Sequence, residues 1–274
     1  MDFICPICGG ELAVCESLIK RCPLGHSFDR ARAGYYNLLP SGSGGVHGDN
    51  AEMVSARRAF LSAGFYEPLR ERVVETALAY IDKGATVLDI GAGEGYYTEA
   101  LEDAMYLRDG ESCVLAFDIS KNAAKALVKR SPRINAAVAS AYSMPVRTGT
   151  VDLAMLIFSP LAREEILRVL APRAKFLMVF PDENHLFGLK SAIYKTPYKN
   201  KPEPTELEGF ALLSDESLSY TITLSGKTEI ESLFMMTPYA YRTSREDRER
   251  LLSLDTLTTE VAFRILVYEK CERS

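Results

Sequence analysis

Residues 87–97 read Val87-Leu88-Asp89-Ile90-Gly91-Ala92-Gly93-Glu94-Gly95-Tyr96-Tyr97. An apolar run ends at Ile90, three glycines follow within five positions, and the chain then turns helical in pattern. Strand, glycine turn and helix together form the opening unit of a parallel sheet, because glycines let the backbone turn sharply and approach a ligand at the strand's carboxyl end. The flanking sequence repeats the alternation. Apolar runs at 86–90, 113–118, 136–139, 151–158 and 176–180 are separated by helix-like segments. Fully apolar strands divided by helices predict a parallel sheet covered on both faces. Two more strands, near 217–224 and 261–268, enclose helices at about 227–234 and 244–254 and extend one edge, the last strand antiparallel. The expected fold is α/β: a doubly wound, Rossmann-like sheet of seven strands.

Upstream, a helix is expected over about 51–61, ending at Gly64, with Asp49 or Asn50 as its N-cap. A second helix starts at Pro68, where Leu69, Val73, Ala77 and Ile81 make one apolar stripe.

Two ligand classes suit such a glycine loop. A dinucleotide needs Gly-x-Gly-x-x-Gly, because its pyrophosphate sits on the helix N-terminus. Here the spacing is Gly-x-Gly-x-Gly with Glu94 inside. A carboxylate there repels pyrophosphate but tolerates the cationic amino-acid part of S-adenosylmethionine. Asp118, which ends the second strand, stands where an acidic side chain accepts hydrogen bonds from ribose hydroxyls. Ser140-Ala141-Tyr142 could flank an adenine, and Asp89 precedes the loop. The plainer alternatives are an ordinary strand-to-helix turn for Gly91, Gly93 and Gly95, and a helix cap before Ser120 for Asp118.

Four of the six cysteines fall in the first 22 residues. Cys5-Pro6-Ile7-Cys8 is followed, after thirteen intervening residues, by Cys22-Pro23-Leu24-Gly25-His26. Two tight turns that each carry two ligands can close a tetrahedron around zinc, and with no open position the metal would be structural. Cys15 stands alone between the pairs. A segment of about forty residues buries too little to fold unaided, and a metal supplies the difference. The chain therefore divides into a zinc-binding module at 1–40, a linker at 41–50 rich in Gly and Ser, and a larger domain at 51–274.

At the presumed reaction edge the fourth strand ends in Phe158-Ser159-Pro160. The Asn- or Asp-led Pro-Pro-aromatic pattern used on exocyclic amines is absent. Cys113 and Cys271 are poorly placed as nucleophiles for carbon methylation. Direct transfer to a ring nitrogen needs only alignment and loss of a weakly acidic proton. No catalytic base can be named. His185 follows the fifth strand and reads equally as a cofactor or base contact and as a neighbour of the next helix's cap. His47 lies in the linker and reads as solvated. Lys190, Lys195, Lys199 and Lys201 interleave with Tyr194, Pro197 and Tyr198, a pattern that suits RNA or merely a solvated insertion. Lys20, Arg21, Arg30, Arg32, Arg57 and Arg58 add positive charge.

The net charge of −5 counts against indiscriminate nucleic-acid binding. No apolar run approaches the roughly 18 residues of a membrane span, and the start lacks the features of a signal peptide. A cytoplasmic setting, where thiols stay reduced, is expected.

Taken together, these motifs resemble the RlmA family of bacterial 23S ribosomal RNA guanine-N1 methyltransferases. The likeness runs through Cys5-Pro6-Ile7-Cys8, Cys22-Pro23-Leu24-Gly25-His26-Ser27-Phe28-Asp29, Gly34-Tyr35-Tyr36-Asn37-Leu38-Leu39-Pro40, Gly48-Asp49-Asn50-Ala51-Glu52-Met53, Ala56-Arg57-Arg58-Ala59-Phe60-Leu61, residues 87–97 and Met236-Thr237-Pro238-Tyr239. The resemblance implies a class I methyltransferase fold and zinc on Cys5, Cys8, Cys22 and His26. It also implies S-adenosylmethionine contacts from Tyr66, Gly95, Tyr96 and His185, a module that helps grip 23S ribosomal RNA, and a homodimer. Ala92, Phe158 and Ala171-Pro172-Arg173 depart from the family's usual Cys, Tyr and Pro-Gly-Gly. Rival readings are a methyltransferase for a small molecule or protein, a non-catalytic RNA-binding protein on a degenerate cofactor fold and, more distantly, a nicotinamide dehydrogenase.

Overall fold

The computed structural model describes residues 1–15, 18–40, 48–110, 113–201 and 204–272. Linker positions 41–47, including His47, lie outside the described residues. Strands β5 (Thr86–Ile90), β6 (Cys113–Asp118), β7 (Asn135–Val138), β8 (Val151–Ile157) and β9 (Leu170–Pro181) run parallel, in the order β9-β8-β5-β6-β7. The order reverses on either side of β5, which makes the carboxyl ends of β5 and β8 the switch point where such sheets hold ligands. Strand β11 (Thr256–Lys270) pairs antiparallel with β9, and β10 (Phe210–Ser225) pairs antiparallel with β11. The expected edge is therefore present, with strands much longer than their apolar cores suggest. Its polar positions alternate outward, so hydrophobic runs alone mark only the buried centre.

The seven expected strands gain an eighth among the described residues. Strand β4 (Tyr36–Asn37), from the N-terminal module, pairs parallel with β7. The module itself holds a small antiparallel sheet of β1 (Ala13–Val14), β2 (Lys20–Arg21) and β3 (Ser27–Phe28). It is packed into the larger body: Phe3, Leu12, Tyr36 and Leu38 share one apolar cluster with Leu88, Ile90, Leu115 and Phe117. Lys20 was expected to add positive surface but is buried, with its ammonium 2.5 Å from Asp2, whose carboxylate also accepts from Asn135 Nδ2 at 2.6 Å. That cation belongs to the joint between module and sheet.

Helix α1 (Ala51–Ser62) is capped by Asn50, whose side chain accepts from the Met53 amide at 2.9 Å. Helix α2 (Glu67–Ala79) buries Leu69, Val73 and Ala77, the stripe read from the sequence. Helices α3 (Tyr96–Asp109), α4 (Lys121–Leu127), α5 (Arg163–Val169), α6 (Phe187–Ile193), α7 (Gly226–Met235) and α8 (Arg245–Leu251) complete the layers. No helix among the described residues is long and apolar enough to cross a membrane.

Candidate functional site

The switch point opens into a cavity of about 1270 Å³. Its floor is the loop between β5 and α3, in which Gly91, Gly93 and Gly95 all have left-handed φ, at 72°, 58° and 87°. At two of these positions an added side chain would also have to displace a neighbour. A Cβ on Gly91 would lie 2.1 Å from Ser159 Oγ, and one on Gly95 would lie 2.4 Å from Leu127 Cδ1. The loop is tied to the tip of β6, because the Gly91 and Ala92 amides both donate to the Phe117 carbonyl at 3.0 Å. Asp118 accepts from the Gly93 amide at 2.9 Å and the Ser120 amide at 2.7 Å. Burial raises its carboxyl above the usual range. Both readings of Asp118 thus hold in part: it braces the loop, and it lines the cavity at the strand end.

Asp89 is buried and accepts from the Thr98 hydroxyl at 2.6 Å. Burial pushes its carboxyl up to about 7, with the Thr98 hydrogen bond opposing and the Asp118 charge adding. Glu94 plays a different part from the one expected. It is buried and ion-paired to Arg130, whose Nε lies 3.0 Å from Oε2, and Arg130 also holds Glu99 at 2.6 Å. Its charge is neutralised within the protein, so repulsion of a pyrophosphate by Glu94 is not what selects the cofactor.

On the opposite wall stand Tyr66 and His185. The Ala262 amide donates to His185 Nδ1 at 3.2 Å, which places the neutral ring's proton on Nε2, 3.3 Å from the Tyr66 hydroxyl. Burial, with the Lys190 charge adding, lowers His185 to about 3. The ring has no free lone pair and cannot serve as a base. Instead it turns the Tyr66 oxygen so that the tyrosine's own hydrogen is available to the cavity. Phe158, in a left-handed backbone (φ 54°) at the end of β8, exposes its ring between this wall and the glycine loop.

A cofactor with a nucleoside and an amino-acid end fits this cradle. Gly91, Gly93 and Gly95 leave the backbone of the floor bare of side chains at those positions, acidic groups stand at two strand ends, and the Tyr96 and Tyr97 hydroxyls are buried with no hydrogen-bond partner among the described residues. The volume exceeds the roughly 300–1,000 Å³ typical of a single small ligand. Tyr142, Tyr198, Asn200 and Tyr239 line its outer part.

The basic stretch did not form one surface. Lys190 is fully buried, donates to Asn200 Oδ1 at 2.6 Å, and sits 4.7 Å from the Tyr198 ring centre and 5.6 Å from that of Tyr239. It pins two aromatic segments to the cavity rim, while Lys195, Lys199 and Lys201 are exposed. Arg57 also lies inside: it pairs with Asp49 and lines the cavity.

In the N-terminal module, Cys5, Cys8, Cys22 and His26 converge, with their ligand atoms all within 4.8 Å of one another. Cys8 and Cys22 sulfurs are 3.6 Å apart, and Cys22 sulfur is 3.2 Å from His26 Nδ1. Zinc–sulfur bonds of about 2.3 Å in a tetrahedron separate their ligands by about 3.8 Å, so this donor set fits zinc. Cys15 is exposed and outside the cluster.

Fold and site together define a methyltransferase joined to a zinc ribbon. Residues 87–177 match a methyltransferase-domain family, and residues 3–43 match the N-terminal zinc ribbon of RlmA. A Streptomyces fradiae 23S rRNA (guanine(748)-N1)-methyltransferase is 37% identical over 193 residues, 69% of this chain and 66% of that protein. A Micromonospora griseorubida protein assigned as a 23S rRNA (guanine-N1)-methyltransferase is 36% identical over 68% of this chain and 67% of its own length. A Bacillus subtilis (strain 168) protein with the same assignment is 29% identical over 91% of this chain and 90% of its own. The chain belongs to this family of 23S rRNA (guanine-N1)-methyltransferases, and it covers just under two thirds of the Streptomyces relative's length.

Proposed function

We propose that the chain transfers a methyl group from S-adenosylmethionine to N1 of a guanine in 23S ribosomal RNA. The likeness to relatives named for that activity carries the reading, and a cavity with room for a cofactor and an extruded nucleoside supports it. When bound, S-adenosylmethionine supplies an electrophilic methyl group. The glycine loop with Tyr96 would cradle it, Asp118 would receive its ribose, and Asp89 would face its ammonium. Tyr66, oriented by His185, would donate a hydrogen bond from the far wall. A paired guanine hides N1, so the base must be flipped or looped out to reach the carboxyl edge of the sheet. Its N1 proton does not pass to His185, whose acceptor nitrogen is already engaged.

Cys5, Cys8, Cys22 and His26 would hold a structural zinc that keeps the ribbon folded against β7; Arg21 and Arg32 on the ribbon and Arg58 on α1 are exposed and could meet RNA phosphates or solvent. The reading carries with it a cytoplasmic setting and a homodimer.

The test uses unmodified 23S RNA and a metabolite extract, each with labelled methyl donor. Reverse-transcription stops on RNA from a deletion strain then locate the base. Label in a small molecule or protein, or an unchanged stop pattern in the deletion strain, would overturn the assignment.

A further inference from the structure

The amino-acid end of S-adenosylmethionine carries a carboxylate as well as an ammonium. The cavity lining is rich in acids: besides Glu94, which Arg130 neutralises, and Asp49, it includes Asp89, Asp118 and Glu206, and none of these offers a partner to a second carboxylate. Arg57 is the one Lys or Arg among the described lining residues. Its Nη1 would be 3.5 Å from a Cβ built on Gly93, so the guanidinium leans over the glycine loop itself.

Its position is fixed from behind. Asp49 forms an ion pair with it, and the Asp49 carbonyl accepts from the Ser120 hydroxyl at 2.6 Å. A Cβ on Gly48 would lie 2.7 Å from Ile119 Cγ2, so this stretch is pressed against the tip of β6. A guanidinium has five donors in a planar fork, and one carboxylate leaves donors over for a second.

We infer that Arg57, oriented by Asp49, binds the carboxylate of the methyl donor at the mouth of the glycine loop. This rests on the methyltransferase reading but not on the choice of RNA. Asp49 is a positioning residue, and the pair links cofactor binding to the segment that leads in from the zinc module. A phosphate of the RNA substrate is the other anion that could claim this guanidinium, and the experiment separates the two.

Calorimetry on the full-length protein compares S-adenosylmethionine with its decarboxylated analogue, which keeps the sulfonium and ammonium. A charge-assisted bidentate contact gives the wild type a preference for the carboxylated compound of about tenfold to a hundredfold. Arg57→Met brings that preference to within about threefold of unity, Arg57→Lys leaves an intermediate value, and Asp49→Asn lowers it partially. Because the preference is a ratio within one protein, a variant with a reduced folded fraction still reports it. An Arg57→Met protein that keeps the wild-type ratio overturns the inference. So does a variant whose only defect is a raised KM for RNA, which would assign the guanidinium to phosphate. A wild type that binds neither compound removes the methyltransferase reading and this inference with it.

Discussion

Replacing Asp89 by Asn tests the electrostatics of the cofactor site. Burial holds the Asp89 carboxyl at about 7 against 3.8 for a solvated one. The native state therefore binds a proton more tightly than the unfolded chain. This stabilising protonation is fully present below about pH 4 and is lost as pH rises to about 7, an effect of up to roughly 4 kcal/mol. A bound ammonium reverses the preference by favouring the carboxylate. Cofactor binding should then release a proton below pH 7, and affinity should rise about eightfold between pH 6 and 7.5. Calorimetry in two buffers of different ionisation heat counts the protons: nearly one released at pH 6, few at pH 7.5. Asp89→Asn keeps an acceptor for Thr98, binds the cofactor about tenfold more weakly at pH 7.5, and flattens the pH dependence. Without ligand at pH 8 the variant should be the more stable protein. A wild-type affinity independent of pH, or the same slope in Asp89→Asn, would refute the assignment of Asp89 to the ammonium.

Three further outcomes follow from the geometry. Chelation, or Cys22→Ala, should remove one zinc per chain by elemental analysis and lower the melting temperature by on the order of 10 °C, because the ribbon shares an apolar cluster with the sheet. Gly91→Ala must place a methyl group against Ser159 in a left-handed backbone, so chemical denaturation should show a loss of about 1–3 kcal/mol together with weakened cofactor binding. His185, held at about 3, should give no inflection in the turnover profile between pH 5 and 8; His185→Gln, which can still donate toward Tyr66, should outperform His185→Leu by roughly tenfold.

The parts legible in the sequence are those fixed by local chemistry. The zinc ligands were readable because metal geometry constrains spacing, and the three glycines because one left-handed turn needs them in a fixed order. The parallel strands were readable because burial on both faces removes their polar residues. Strand β4 was not: two residues that pair with β7 through backbone groups carry no periodic signal. The charged groups were misjudged for one common reason. Glu94, Lys20 and Lys190 read as surface or ligand charges, yet each is met by a side chain that its local pattern does not point to: Arg130, Asp2 and Asn200.

That pattern of enclosure bears on how the site works. Burying a charge is costly unless a partner meets it, so paired charges lodged around one cavity mark where the fold holds its walls in place. Arg130 with Glu94 fixes the glycine loop from behind, and Lys190 with Asn200 fixes the aromatic rim. Asp89 and Arg57 differ from these. Among the described residues, Asp89 has only the Thr98 hydroxyl as a side-chain donor, and Arg57 has donors left after meeting Asp49. One is an acid lacking a cation and the other a cation with capacity for an anion, both at the lip of the same loop. A zwitterionic amino-acid group satisfies both at once, whereas a pyrophosphate satisfies only Arg57 and leaves Asp89 opposed.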